Sequence, residues 1–334
     1  MSTPRQSRAR LWAGIAVVGA ASLVLAACGS SSSGGGSSSP SGSSSASSTL
    51  PKTLVFSPIG LQVPAMKGLS EGVKGYAGSQ GWTVTVQDPS LDPAKQVQQV
   101  TQVLESGQAG ALWIIAIAPA SMSGVLKTAQ AKGVPVLING VPADYGMSGP
   151  QAGITFDTID YAAGGKAVGE NLGKCIVEKL GGNAQVIVGE SAPGTAGKKE
   201  YDDAVLAALK ATAPNANVVQ TWTISDRAKS QTDVGAILQG KPDVNAVAAA
   251  NDEGALGAIG AFKAAGKELP CITEFGGNEE VLADVKKGII YASAALQFAD
   301  DMKQSVDTLG EMQKDPKQEG KLLTVPLKVF TASS

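Results

Sequence analysis

From Thr53 onward, short apolar runs alternate with amphipathic stretches of helical period, and this rhythm limits the folds open to the chain more than any other feature. The run 54–56 precedes a helical stretch at 66–79, 83–86 precedes 93–105, 112–115 precedes 121–132, and 134–138 follows. Short apolar runs read as buried strands, and alternation of strand with helix predicts a parallel sheet covered by helices on both faces. Asp92-Pro93 and Ser121 suit helix starts, while Gly81, Gly107 and Gly133 suit stops. The rhythm resumes past Gly153, with helices over 161–180, 198–211, 231–238 and 254–265 and strands over 184–188, 218–222, 246–249 and 272–275. A chain of 334 residues has room for two such α/β halves. Two doubly wound halves place a cleft between them, and open sheets of this kind take ligands beyond the carboxyl ends of their strands.

Composition removes several classes of function. The chain contains no histidine, the usual general base of serine and cysteine nucleophiles and the commonest zinc ligand, so no metal site and no cofactor are expected. Its net charge is −2, with Lys and Arg interspersed among Asp and Glu, which leaves no basic stripe for nucleic acid. A glycosidase needs only two convergent carboxylates. The best candidates, Asp252 and Glu253, are neighbours on a helix start and point in different directions, so no catalytic residues are assigned and the chain is not expected to be an enzyme.

The N-terminus carries Arg5, Arg8 and Arg10, then an apolar run over 11–27 that ends in Leu25-Ala26-Ala27-Cys28. This is a signal-peptide layout, 1–28, and the small residues before cysteine resemble a bacterial lipobox in which Cys28 is lipidated. An uncleaved anchor is the alternative, because a run of about 17 apolar residues sits at the short end of a bilayer span. On either reading the folded part is exported and held at the outer face of the cytoplasmic membrane, on a Ser/Gly-rich linker at 29–50. Cys175 and Cys271 remain, in a compartment that permits disulfides; they either pair or stay as two buried thiols.

Four segments carry a family resemblance: Asp92-Pro93-Ala94-Lys95, Gly133-Val134-Pro135-Val136, Pro242-Asp243-Val244-Asn245-Ala246-Val247, and Asn251-Asp252-Glu253-Gly254-Ala255-Leu256-Gly257-Ala258. In order and spacing the chain resembles the periplasmic ribose-binding protein family (type I), sugar-binding substrate proteins of ABC importers, over most of 53–330. The resemblance implies three crossings between domains, near Gly153, Gln297 and Thr324, and hence an N-terminal domain at 51–154 and 298–323 and a C-terminal domain at 155–297 and 324–334. It further implies a small neutral ligand, by default a sugar or polyol, a monomer, and docking of the closed form on an ABC permease in the membrane. A ligand-sensing receptor for a membrane signalling partner is the alternative. A cytoplasmic repressor is excluded by the export segment and by the lack of a DNA-binding helix pair before Thr53.

Among the ligand positions that the resemblance carries over, Asn251 and Gln297 keep the family's amides, which suit hydroxyls because they both donate and accept. Asn251 also suits a helix N-cap. Elsewhere the pattern departs. Asn139 and Gly276 stand where carboxylates are expected, Lys198 or Lys199 where an arginine is expected, and Ala65 and Met66 in place of paired aromatics. Trp222 suits either ligand stacking or the core, Asn278 could recover a polar contact, and Glu274 is either a ligand group or a solvated strand end. The run Gly164-Gly165-Lys166-Ala167-Val168-Gly169 lacks the Gly-Lys-Ser/Thr ending of a phosphate loop and reads as close helix packing.

Overall fold

The computed structural model describes residues 50–334; Cys28, the apolar run before it and the Ser/Gly tract lie outside the described residues. In chain order the elements are β1 (Thr53–Ser57), α1 (Pro64–Ser79), β2 (Thr83–Val86), α2 (Pro93–Glu105), β3 (Ala111–Ile114), α3 (Ser123–Lys132), β4 (Val136–Asn139) and β5 (Ile154–Thr158). A second series runs through α4 (Tyr161–Leu180), β6 (Gln185–Glu190), α5 (Lys198–Thr212), β7 (Asn217–Thr223), α6 (Arg227–Gly240), β8 (Val244–Ala249), α7 (Asp252–Ala264), β9 (Cys271–Gly276), α8 (Glu279–Lys286) and β10 (Ala292–Leu296). Then follow α9 (Phe298–Lys314), β11 (Leu322–Thr324) and β12 (Leu327–Thr331).

The strands form two six-stranded sheets, ordered β11-β5-β4-β3-β1-β2 and β12-β10-β9-β8-β6-β7. All pairings are parallel except that of β12 with β10. Each sheet reverses its winding once, between β1 and β3 in the first and between β6 and β8 in the second, and such switch points are where doubly wound sheets open a crevice. Every residue of β3 is buried, which is why that strand reads as an unbroken apolar run.

Local signals account for most boundaries. Asp92 caps α2 by accepting hydrogen bonds from the Ala94 and Lys95 N–H groups at 2.9 and 3.1 Å. Gly133 closes α3 at φ 67°, a left-handed conformation that favours glycine. Ser121 is not the start of α3: it lies in a 3-10 turn over Pro119–Met122, and α3 begins at Ser123. The glycines of α4 allow close approach to α5, since a Cβ on Gly165 or Gly169 would stand 2.3 Å from the carbonyl oxygen of Tyr201 or Val205. That stretch is helix packing and not a phosphate loop.

The chain passes between the sheets three times, after β5, after β10 and after β11. The first passage follows Thr158 and not Gly153, because β5 joins the first sheet by pairing with β4 before the chain leaves it. All three passages leave from strand carboxyl ends, and β12 enters beside the carboxyl end of β10, with Leu327 opposite Leu296. The carboxyl edges of the two sheets therefore meet at the crossings. Backbone bonds lace these segments together: Val325 N–H donates to Thr158 C=O at 2.9 Å, and Gln297 N–H to Pro326 C=O at 2.8 Å.

A buried acid pair lies against this lacing. Asp157, 8% exposed near the end of β5, and Asp301, 6% exposed in the first turn of α9, are within hydrogen-bonding reach of each other. The Gln304 amide donates to Asp301 Oδ1 at 2.7 Å and to the Thr324 carbonyl at 2.9 Å, so one side chain joins the acid pair to the third crossing. Burial first, and then the charge of Asp301, push the Asp157 carboxyl up to about 8. In the second lobe, Cys175 of α4 and Cys271 of β9 are joined by a disulfide that spans 96 residues of sequence.

Two outcomes follow for stability. The native state keeps on Asp157 a proton that an unfolded aspartate releases near pH ~3.9, so this contribution is complete below that pH and is lost as pH rises toward 8. Asp157→Asn should therefore raise the melting midpoint at pH 9 by several degrees, at ~2–4 °C per kcal/mol, and flatten its dependence on pH in melts followed by circular dichroism. Reducing the disulfide should lower stability by ~2–4 kcal/mol, read as a drop in the midpoint on adding reductant that the Cys175→Ala/Cys271→Ala variant does not show.

Candidate functional site

In the first lobe the carboxyl ends of β1, β3 and β4 are held in register by two amide side chains. Gln96, fully buried on α2, donates to the Ser57 Oγ at 3.2 Å and to the Ile115 carbonyl at 2.9 Å, and its Oε1 accepts from Ile117 N–H at 3.0 Å. It bridges β1 and β3 across the switch point. Asn139, last in β4, accepts from Ala116 N–H at 2.7 Å, and its own carbonyl accepts from the Tyr145 hydroxyl at 2.5 Å. Met66 is half-buried in the first turn of α1, the helix that follows β1. Gln96 was missed in the sequence, where a Gln within an amphipathic helix looks like solvent-facing surface. Its only signal is that it shares the buried face with Val100 and Val103.

In the second lobe Asn251 and Asn278 cap successive helices. Asn251 Oδ1 accepts from Gly254 N–H at 2.9 Å and Asn278 Oδ1 from Val281 N–H at 2.8 Å. Both amides thus serve as N-caps, and neither Nδ2 is engaged among the described residues. Asp252 draws the two together, since its Oδ1 accepts from the N–H groups of Gly277 and Asn278 at 2.9 and 2.8 Å. A Cβ on Gly276 would lie 2.4 Å from Asp252 Oδ2, so Asp252 fills the space that a side chain in that turn would need. Gln297 sits at the second crossing, where its amide donates to the Ala295 carbonyl at 3.0 Å.

Contacts and burial narrow three readings from the sequence. Trp222 is a core residue: 6% of its surface is exposed, its ring packs over Gly189, and it leaves no face for a ligand to stack on. Its edge borders a groove of about 690 Å³ between β7 and α6, on the outer edge of the second sheet. Lys198 is not a free cation, because its ammonium is paired with Glu190 at 2.6 Å and with Asp202. Glu274 is no solvated strand end: it is 0% exposed, and burial, then the nearby charge of Asp252, raise its carboxyl well above the usual range. Arg227 is engaged as well, donating to Glu253 at 2.9 Å and to Glu280 at 2.8 Å.

The strand ends thus carry Asn139, Asn251, Asn278 and Gln297, while Lys198 and Arg227 are neutralised by carboxylates. That surface donates to and accepts from uncharged groups. Neither Lys198 nor Arg227 offers it an unpaired positive charge for an anion.

Comparison with known proteins agrees with the fold. Residues 54–317 match the family model described as a periplasmic binding protein domain. The ribose import binding protein of Haemophilus influenzae is 31% identical over 85% of this chain and 93% of its own length. That of Bacillus subtilis is 30% identical over 84% of this chain and 87% of its own length. Among solved structures, a periplasmic ribose ABC transporter protein from Conexibacter woesei superposes with a TM-score of 0.70 at 21% identity, covering 85% of this chain and 93% of that one. The chain therefore belongs to the periplasmic binding protein domain family, as a ribose-binding-protein-like, type I member.

Proposed function

We propose that this protein is the extracytoplasmic solute-binding component of an ABC importer and that it takes a small neutral sugar or polyol between its lobes. The observation that carries the ligand class is the pairing of Lys198 with Glu190 and Asp202 and of Arg227 with Glu253 and Glu280, which leaves neither cation free to hold an anionic ligand. The relatives whose names specify ribose import support the transport role. Ligand binding would stabilise the closed arrangement of two lobes joined at three crossings, and the closed form would be the one a membrane permease receives. Cys28, if lipidated, would keep the monomeric protein beside that permease. No helix among the described residues is long and apolar enough to cross a membrane. In this reading Asn139, Asn251, Asn278 and Gln297 contact the ligand, with Met66 at the rim.

Thermal-shift measurements on the protein tests this. Of D-ribose, L-arabinose, xylitol and myo-inositol, at least one should raise the midpoint, by the equivalent of about 2.7 kcal/mol at about 100 times its dissociation constant. D-ribose 5-phosphate and gluconate should not. A shift produced by the anions alone overturns the neutral-ligand reading.

Asn251→Asp isolates one contact, because aspartate keeps the helix cap while losing the amide donor. Affinity for the bound sugar should fall about tenfold by calorimetry, the worth of one good hydrogen bond, with the midpoint of the free protein little changed. An undiminished affinity removes Asn251 from the site.

A further inference from the structure

Asp252 stands at the carboxyl end of β8, beside the carboxyl end of β9, in the middle of the second sheet. Its two oxygens have different surroundings. Oδ1 is saturated by the N–H groups of Gly277 and Asn278. Oδ2 accepts no hydrogen bond from an N–H or hydroxyl donor among the described residues, and it faces the place where a side chain at position 276 would be. Gly276, at φ 148°, contributes no such side chain, so the oxygen packs against the glycine backbone with no side chain at position 276 over it.

A second observation comes from below. Glu274 is fully buried on β9, its carboxyl oxygens form no hydrogen bond of normal geometry although the Ser293 hydroxyl and the Gly277 N–H are close by, and its carboxyl reaches toward Asp252. A buried acid with no cation beside it stays neutral. The pair then bears one negative charge, on Asp252, where two backbone N–H donors and the start of α7 stabilise it. The amide nitrogens of Asn251 and Asn278 stand on either side of this carboxylate in sequence and are free to donate.

We propose that Asp252 is the specificity-determining carboxylate of the site, its Oδ2 accepting the hydroxyl hydrogens of a ligand with vicinal hydroxyls while the amides of Asn251 and Asn278 donate to the same hydroxyl oxygens. The inference rests on the reading of a neutral sugar or polyol ligand and adds the group that distinguishes such a ligand from other neutral solutes. A charge-assisted bond is about twice as strong as a neutral one, so this one carboxylate outweighs each amide around it. Protonation removes the acceptor. The ionisable neighbours are Glu253 on α7 and Glu274 on β9; Tyr201 on α5 lies beside Glu274, and Arg227 on α6 is held by Glu253 and by Glu280 on α8. Burial raises the Asp252 carboxyl above its ordinary value, with the turn N–H groups pulling the other way.

The test is Asp252→Asn, which keeps an oxygen for the two turn N–H groups and turns the other oxygen into a donor. Calorimetry on the full protein with D-ribose, L-arabinose, xylitol and myo-inositol should show affinity falling at least tenfold in the variant. The unaltered protein should bind more weakly as pH is lowered from 7 to 4, and the variant should lack that dependence. Equal affinity and the same pH profile in both proteins overturn the proposal and leave Asp252 as a brace for the turn. If the variant folds poorly, the unaltered protein decides: its affinity for the bound polyol must fall on acidification, and 1,5-pentanediol, which has no vicinal hydroxyls, must not compete. Failure of either overturns it. Failure of all four ligands to bind the unaltered protein would instead sink the neutral-ligand reading, and this inference with it.

Discussion

Everything the molecule does as two lobes passes through a few hydrogen bonds at the crossings. Val325 is bonded to Thr158 and Gln297 to Pro326, so the third segment is fastened to both of the others and the three cannot move independently. Gln304 extends the lacing into the first lobe by joining Thr324 to the Asp301 carboxyl, which itself meets Asp157. Two buried carboxyls are an expensive way to support a hinge unless a proton lies between them. Shared protonation gives the crossings a rigid, low-dielectric footing, and the lobes on either side can then rotate as bodies.

The same economy of charge marks the second lobe. Asp252 and Glu274 form another close acid pair, again with burial keeping one member neutral. Lys198 and Arg227 are each shared between two carboxylates. The result is a surface on which these two cations are neutralised within the protein and amides cap the strand ends. Such a surface discriminates by the geometry of hydrogen bonds, and long-range attraction contributes little to it.

The fold was legible in the sequence because hydrophobic period and helix punctuation act locally. α4 begins and ends where its pattern does, Asp92 caps as its type suggests, and the apolar run 112–115 lies over β3. Errors arose where tertiary pairing decides. β5 extends the first sheet past Gly153 because β4 is there to receive it, and Ser121 falls in a 3-10 turn after Pro119. The site was legible only in part. Amides at strand ends could be placed from position, but the state of a side chain depends on what burial and neighbours do to it. Trp222 and Glu274 turned on contacts with residues distant in sequence, namely Gly189 and Asp252, and Lys198 on a carboxylate brought to it from the end of β6. Gln96 was missed because its partners, Ser57, Ile115 and Ile117, lie outside its own helix.

The threading of the last two strands has a further consequence, for the order in which the molecule can assemble. β11 covers the edge of β5 in the first sheet, and β12 covers the edge of β10 in the second, so both sheets receive their final strand from one stretch of about ten residues at the end of the described chain. A growing polypeptide can form most of either lobe early, yet each retains an unpaired edge until that stretch arrives. The two lobes, separate in their cores, therefore reach completion together.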